Sequence, residues 1–136
     1  MESLAVSEAV IAHGPSHLYD LAVLIGIIVG YEPKMHADGV NAEVIDLLSI
    51  SPMDDETILE SVKKTRKIVI VDEDYPRCSV ASDISALVAE EAFDYLDAPP
   101  RRVTAPHTPV PYSRPLEAVY MPSKEKVVKA TLEVLE

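Results

Sequence analysis

Ser51-Pro52-Met53-Asp54-Asp55-Glu56-Thr57-Ile58-Leu59-Glu60-Ser61-Val62-Lys63-Lys64-Thr65-Arg66-Lys67-Ile68-Val69-Ile70-Val71 is the stretch that decides the fold. Its first part reads as a helix, with a serine for the N-cap, a proline for the first helical position and an acidic residue three positions on. Asp54, Asp55 and Glu56 crowd the first turn, while Lys63, Lys64, Arg66 and Lys67 crowd the end. Both groups complement the helix dipole. Ile58, Leu59 and Val62 supply the buried stripe. Four β-branched residues, Ile68 to Val71, then follow without a polar interruption, as in a strand covered on both faces.

Working outward, the same alternation continues in both directions. Upstream, Ala9-Val10-Ile11-Ala12 reads as a strand closed by His13-Gly14-Pro15. Ser16 can cap a helix through Leu18, Leu21, Ala22 and Ile25, Pro33 and Gly39 punctuate it, and Ala42 to Leu47 reads as the next strand. Downstream, Val80, Ile84, Leu87 and Val88 recur at helical spacing up to about Tyr95. Arg102 to Ala105 fits an edge or late strand. Seven of the 11 prolines lie between Pro99 and Pro122, which predicts extended coil there. Lys124 to Glu136 closes the chain as an amphipathic helix through Val127, Val128, Thr131 and Leu135. Strands alternating with helices predict an α/β sandwich with a mainly parallel sheet.

Composition narrows the function classes. The chain has 136 residues, of which 48% are hydrophobic and 26% charged, as expected for one globular domain over residues 1–136. Lys plus Arg is 12 against 23 Asp plus Glu, a formal net charge of −11. That balance repels phosphate backbones and anionic lipid, so no nucleic-acid or membrane partner is expected. The longest apolar run, Leu21 to Tyr31, is well short of the roughly 20 residues that span a bilayer. No basic flank precedes an apolar stretch, so no signal peptide is expected. A single cysteine, Cys78, excludes an internal disulfide and fits a reducing compartment; the expected location is cytoplasmic.

Six ordered blocks carry more than periodicity. They are Ala42 to Leu47, Ser51 to Ile58, Ser61 to Thr65, Ile68 to Glu73, Glu90-Glu91-Ala92-Phe93-Asp94-Tyr95-Leu96-Asp97-Ala98-Pro99, and Arg102 to Tyr112. Together, from about residue 41 to 136, they resemble the C-terminal domain of the β subunit of 2-oxoacid dehydrogenase E1 components, the pyruvate, branched-chain and acetoin dehydrogenase group. The stretch over residues 1–40 departs from that pattern. The resemblance implies the transketolase C-terminal fold: a three-layer α/β/α sandwich around a five-stranded mixed sheet. It also implies a non-catalytic domain that assembles an α2β2 tetramer with the E1 α subunit and helps to dock the acyltransferase core. Thiamine diphosphate belongs, by the same resemblance, to other domains of the parent enzyme, as do its activating glutamate and the Gly-Asp-Gly magnesium motif. No Gly-Asp-Gly occurs in this sequence, and no cofactor is expected in this chain.

Among residues that could carry chemistry, His13, His17 and Asp20 form the most suggestive cluster. They fall near the carboxyl edge of the sheet, where open α/β folds bind ligands, and two imidazoles with a carboxylate suit a divalent transition metal. His36 and Asp38 would be outlying ligands. The plainer reading is a pair of solvated histidines. Asp72-Glu73-Asp74 ends a strand and could hold a hard cation or do acid–base work; the family resemblance makes it structural or part of subunit contacts. Cys78 follows Arg77, which favours a thiolate, but no base is placed beside it. His107 reads as a turn residue. No catalytic residue is assigned.

Two surfaces remain. Glu90, Glu91, Asp94 and Asp97 form an acidic helix end suited to a basic docking partner. Leu21 to Val29 holds seven large aliphatics in nine residues, more than one helix face can bury. Leaving three of them in water forfeits about 1.5–3 kcal/mol each. A homodimer is therefore expected, with Leu24, Ile28 and Leu48 at its interface. Leu48 stands where the family commonly carries arginine. Two functions stay open: an assembly and docking domain, or a fragment or engineered scaffold of the same fold that binds a divalent metal or small ligand near His13 and His17.

Overall fold

The structure, a computed structural model, describes residues 6–13, 40–47 and 49–136. Its strands are β1 (Val6–His13), β2 (Val40–Asp46), β3 (Ile68–Asp72) and β4 (Arg101–Val103), and its helices are α1 (Asp55–Thr65), α2 (Val80–Glu91), α3 (Arg114–Tyr120) and α4 (Lys124–Leu135). The strands lie in the order β2-β1-β3-β4 and every neighbouring pair is parallel. Val10 stands opposite Val44 on one side and Val69 on the other. Among the described residues the sheet thus has four parallel strands, where the family resemblance implies five in a mixed sheet.

Side chains alternate across a strand, and β3 uses both faces. Ile68 and Ile70 join Leu47, Ile58, Val62, Ala81, Ile84, Val88 and Ala92 in one cluster. Val69 and Val71 join Val103, Val127, Ala130 and Val134 in the other. Helices α1 and α2 therefore cover one face and α4 the other, which makes three layers. The uninterrupted Ile68–Val71 run is the sequence consequence of that double cover: all five residues of β3 are buried.

The start of α1 differs from the expected one. Ser51 and Pro52 form a turn closed by a bridge between Ile50 and Met53, so the helix cannot begin there. Asp54 is the N-cap instead. One carboxylate oxygen accepts the Thr57 N–H at 3.1 Å, and the other accepts the Thr57 hydroxyl at 2.7 Å. Those two hydrogen bonds hold the Asp54 carboxyl below the usual carboxylate range, the hydroxyl bond contributing most. The helix ends on Arg66 in the left-handed region (φ 65°), its N–H donating to the Val62 carbonyl at 2.7 Å.

The proline-rich stretch also departs from the expected coil, since α3 forms within it with Pro115 in its first turn. Proline is well suited to that position, where its missing N–H has no helical partner to lose.

Candidate functional site

The carboxyl ends of the parallel strands are the natural place for a ligand, and here they end in acid. Asp46 closes β2, Asp72 closes β3, and Glu73 and Asp74 follow it. Asp72 is almost fully buried. One oxygen accepts the Asp74 N–H and the other accepts the Ala81 N–H, both at 3.0 Å. Ser79, the N-cap of α2, makes no side-chain cap bond. Asp72 caps that helix from outside, tying β3 to its first turn and placing negative charge at the positive end of the dipole. Its oxygens are thus occupied by backbone, which gives Asp72 of the Asp-Glu-Asp run a structural role.

His13 ends β1 in register with Asp72. His17, Asp20, His36 and Asp38, the other expected metal ligands, lie outside the described residues, as do Leu24, Ile28 and Leu48 of the expected dimer interface. Among the described residues no group of three or more metal-ligating side chains occurs. No helix among the described residues is long and apolar enough to cross a membrane.

Beyond β3 the loop is built on aromatic contacts. His107 is exposed, and its ring lies 5.1 Å from that of Tyr75 at a tilt of 35°. Its turn is closed by the Thr108 N–H donating to the Pro106 carbonyl at 2.8 Å. Tyr120, at the end of α3, is buried. Burial pushes its hydroxyl up from the ordinary tyrosine range, and a hydrogen bond with Tyr75, then the charges of Tyr75 and Asp74, add to the shift. Since the folded pKa is the higher one, the stability it contributes is complete below the unfolded value of about 10 and lost as pH rises through the folded value. Alkaline denaturation followed by circular dichroism is expected to be less steep above about pH 10 in Tyr120→Phe than in the parent. An identical pH profile in the two proteins would remove the assignment. Cys78 is exposed one residue before the α2 N-cap, with φ at 54°.

The acidic helix end is built as a surface. Glu90, Glu91, Asp94 and Asp97 are all exposed. Asp97 accepts from the Arg66 guanidinium at 2.7 Å, and its N–H donates to the Arg66 carbonyl at 2.9 Å, so it also clasps the loop to α1. Lys63 sits 5.7 Å over the Tyr95 ring on the same side. Sequence reading missed Phe93, whose side chain is 70% exposed among these carboxylates. Phe93 opens a 3-10 turn, Phe93–Tyr95, that follows the end of α2, beyond the C-cap Ala92, so the helical periodicity of α2 carried no signal of its exposure. Nor does α2 carry a basic residue in its last turn, so Glu90 and Glu91 add to the negative end of the dipole.

A small parallel sheet with helices on both faces, whose deepest carboxylate serves as a helix cap, defines an α/β domain with an acidic, aromatic surface. The chain belongs to the transketolase C-terminal domain family, whose model matches residues 32–127, and it is of the kind found in the E1 β subunits of 2-oxoacid dehydrogenases. It is 55% identical over 97 residues to the β subunit of acetoin:2,6-dichlorophenolindophenol oxidoreductase of Bacillus subtilis, covering 71% of this chain and 28% of that one. It is 44% identical over 101 residues to the pyruvate dehydrogenase E1 component subunit β of Rhizobium meliloti, covering 74% and 22%. Against the mitochondrial pyruvate dehydrogenase E1 component subunit β of Saccharomyces cerevisiae it is 49% identical over 98 residues, covering 71% and 27%. The chain therefore spans less than a third of the length of these relatives. A solved structure, a split-gene transketolase described as an inactive β4 tetramer, superposes with a TM-score of 0.72 over 96% of this chain and 38% of that one. At 20% identity that likeness bears on the fold alone.

Proposed function

We propose that this chain is a non-catalytic assembly and docking domain of a 2-oxoacid dehydrogenase E1 β subunit, with an acidic face that receives a basic partner. The observation that carries the reading is Phe93, exposed among Glu90, Glu91 and Asp94 at the negative end of α2. An exposed aromatic with a charged rim is the usual form of a binding hot spot, and a chain of net charge −11 attracts cations from a distance. In the relatives' setting the partner would be the basic linker domain of the acyltransferase subunit, and the E1 α subunit would be the companion in the tetramer. The chemistry of decarboxylation lies, in this reading, in the thiamine-binding domains. Self-association is part of the same proposal.

Isothermal calorimetry with such a basic linker domain tests it. Binding is expected at 20 mM salt and about tenfold weaker near 0.2 M, because rim charges are screened there. Phe93→Ala should cost about 1–2 kcal/mol of binding while leaving the unfolding midpoint unchanged. Absence of binding at low ionic strength would sink the docking role.

A further inference from the structure

We infer that Lys126 is a charge-dependent latch that holds α3 in place, and that acylation of its amine releases it. Helix α3 has seven residues, of which Tyr120 alone is buried. Leu116 and Val119 are exposed, as is Tyr112 just before the helix. A helix that short has no stability of its own, so what holds it comes from outside. Tyr120 supplies one hold, through its burial and its hydrogen bond with Tyr75.

Lys126 supplies the other. The last carbonyls of a helix have no partner within it and form the negative end of its dipole. In α3 the Glu117 carbonyl accepts the Met121 N–H at 3.0 Å, and the last turn carries no basic residue. The cation comes from the next helix instead. The Lys126 ammonium donates to the Val119 and Met121 carbonyls, each at 3.4 Å.

The same charge is misplaced on its own helix. Lys126 is the third residue of α4, whose first turn is the positive end of a dipole and favours anions. That end is already served by Ser123, whose hydroxyl oxygen accepts the Lys126 N–H at 3.4 Å. Glu125 serves it too, its carboxyl held below the usual range by a bond from its own N–H and then one from Ser123. The ammonium therefore favours α3 and opposes α4. An ordinary helix residue would support the helix it belongs to.

Lys126 is exposed, so an acyl thioester can reach it. Once the ammonium has lost a proton to water, the amine attacks the thioester carbonyl carbon. The N–C bond forms, the C–S bond breaks, and the sulfur leaves as a thiol with the second proton. The amide that results keeps one N–H but no charge, and a neutral donor makes a bond about half as strong.

Amide hydrogen exchange followed by NMR on the full chain is the test, with circular dichroism to verify that each variant is folded. Lys126→Met is expected to speed exchange over residues 114–121 about two- to fivefold, while α4 keeps or gains protection. Lys126→Arg should hold the parent rate, and N-acetyl-lysine incorporated at position 126 should fall between arginine and methionine. Unchanged exchange of α3 in Lys126→Met would overturn the latch. So would faster exchange spread evenly over α3 and α4, or a loss that arginine does not rescue. An acetylated chain that exchanges like the parent would overturn release by acylation.

Discussion

Ile70→Ala is expected to lower the unfolding midpoint by about 8–20 °C, the largest effect of any single substitution considered for this chain. Ile70 is fully buried in the central region of the sheet, with Ile11 of β1 and Arg102 of β4 beside it in register. Its side chain packs under α1 and α2 with Ile58, Val62, Ile84 and Val88. Truncation removes three carbons from a site where two helices and a strand meet, so collapse can fill little of the void. The lost transfer energy and the cavity together come to about 2–5 kcal/mol. Leu132→Ala is the internal reference. Leu132 is also a large aliphatic but half exposed on α4, and its loss should stay within about 0.5 kcal/mol. Thermal and urea denaturation measure both; a loss below about 1 kcal/mol for Ile70→Ala would mean that this layer is not packed as described.

Asp72→Ala is expected to cost about 1–3 kcal/mol by leaving the buried Ala81 N–H, and the part-buried Asp74 N–H, without their acceptor. The effect is directional. Asn at the same place keeps one acceptor oxygen but turns an NH2 toward the other N–H, so Asp72→Asn should fall between alanine and the parent. Amide hydrogen exchange locates the damage, with faster exchange at Ala81 and through the first turn of α2 while α4 keeps its protection. Unchanged stability in Asp72→Ala would reopen the strand-end carboxylates as a reaction or ligand site, because the capping role would then be worth nothing.

These two residues show how differently the molecule could be read from its chain. Ile70 was legible because four consecutive β-branched residues after a well-formed helix admit few alternatives to a doubly covered strand. Asp72 was visible as a carboxylate, but its role was not. The donors that occupy it come from Asp74, two residues on, and from Ala81, nine residues on at the start of another element. Whether a strand-end acid caps a helix or meets a ligand depends on where that helix docks.

The same distinction runs through the acidic surface. Glu90, Glu91, Asp94 and Asp97 were readable as a charged helix end. Phe93 stood among them in the sequence, yet a lone aromatic between acids is ordinarily assigned to the core, and only the 3-10 turn Phe93–Tyr95 after the end of α2, none of whose residues is buried, leaves it outward. At α1 two residue sets competed for the cap. Ser51-Pro52 matches the favoured pattern, but Asp54 makes two bonds to Thr57 and the turn before it uses the serine and proline. The prolines after Pro99 argued against regular structure, and α3 formed because Pro115 occupies a first-turn position where it does no harm.

By itself the sequence determined the α/β class, the existence of α1, β3, α2 and α4, and the acidic balance that governs which partners can approach. These follow from local periodicity and from summed charge, which need no knowledge of distant contacts. Only the tertiary structure decided that Ile68 and Ile70 face α1 and α2 while Val69 and Val71 face α4, that Asp72 belongs to a helix cap, and that Phe93 and Tyr112 stand in solvent. Each of those depends on which elements come together across the sheet, and burial, unlike periodicity, is a property of the packed pair rather than of either segment.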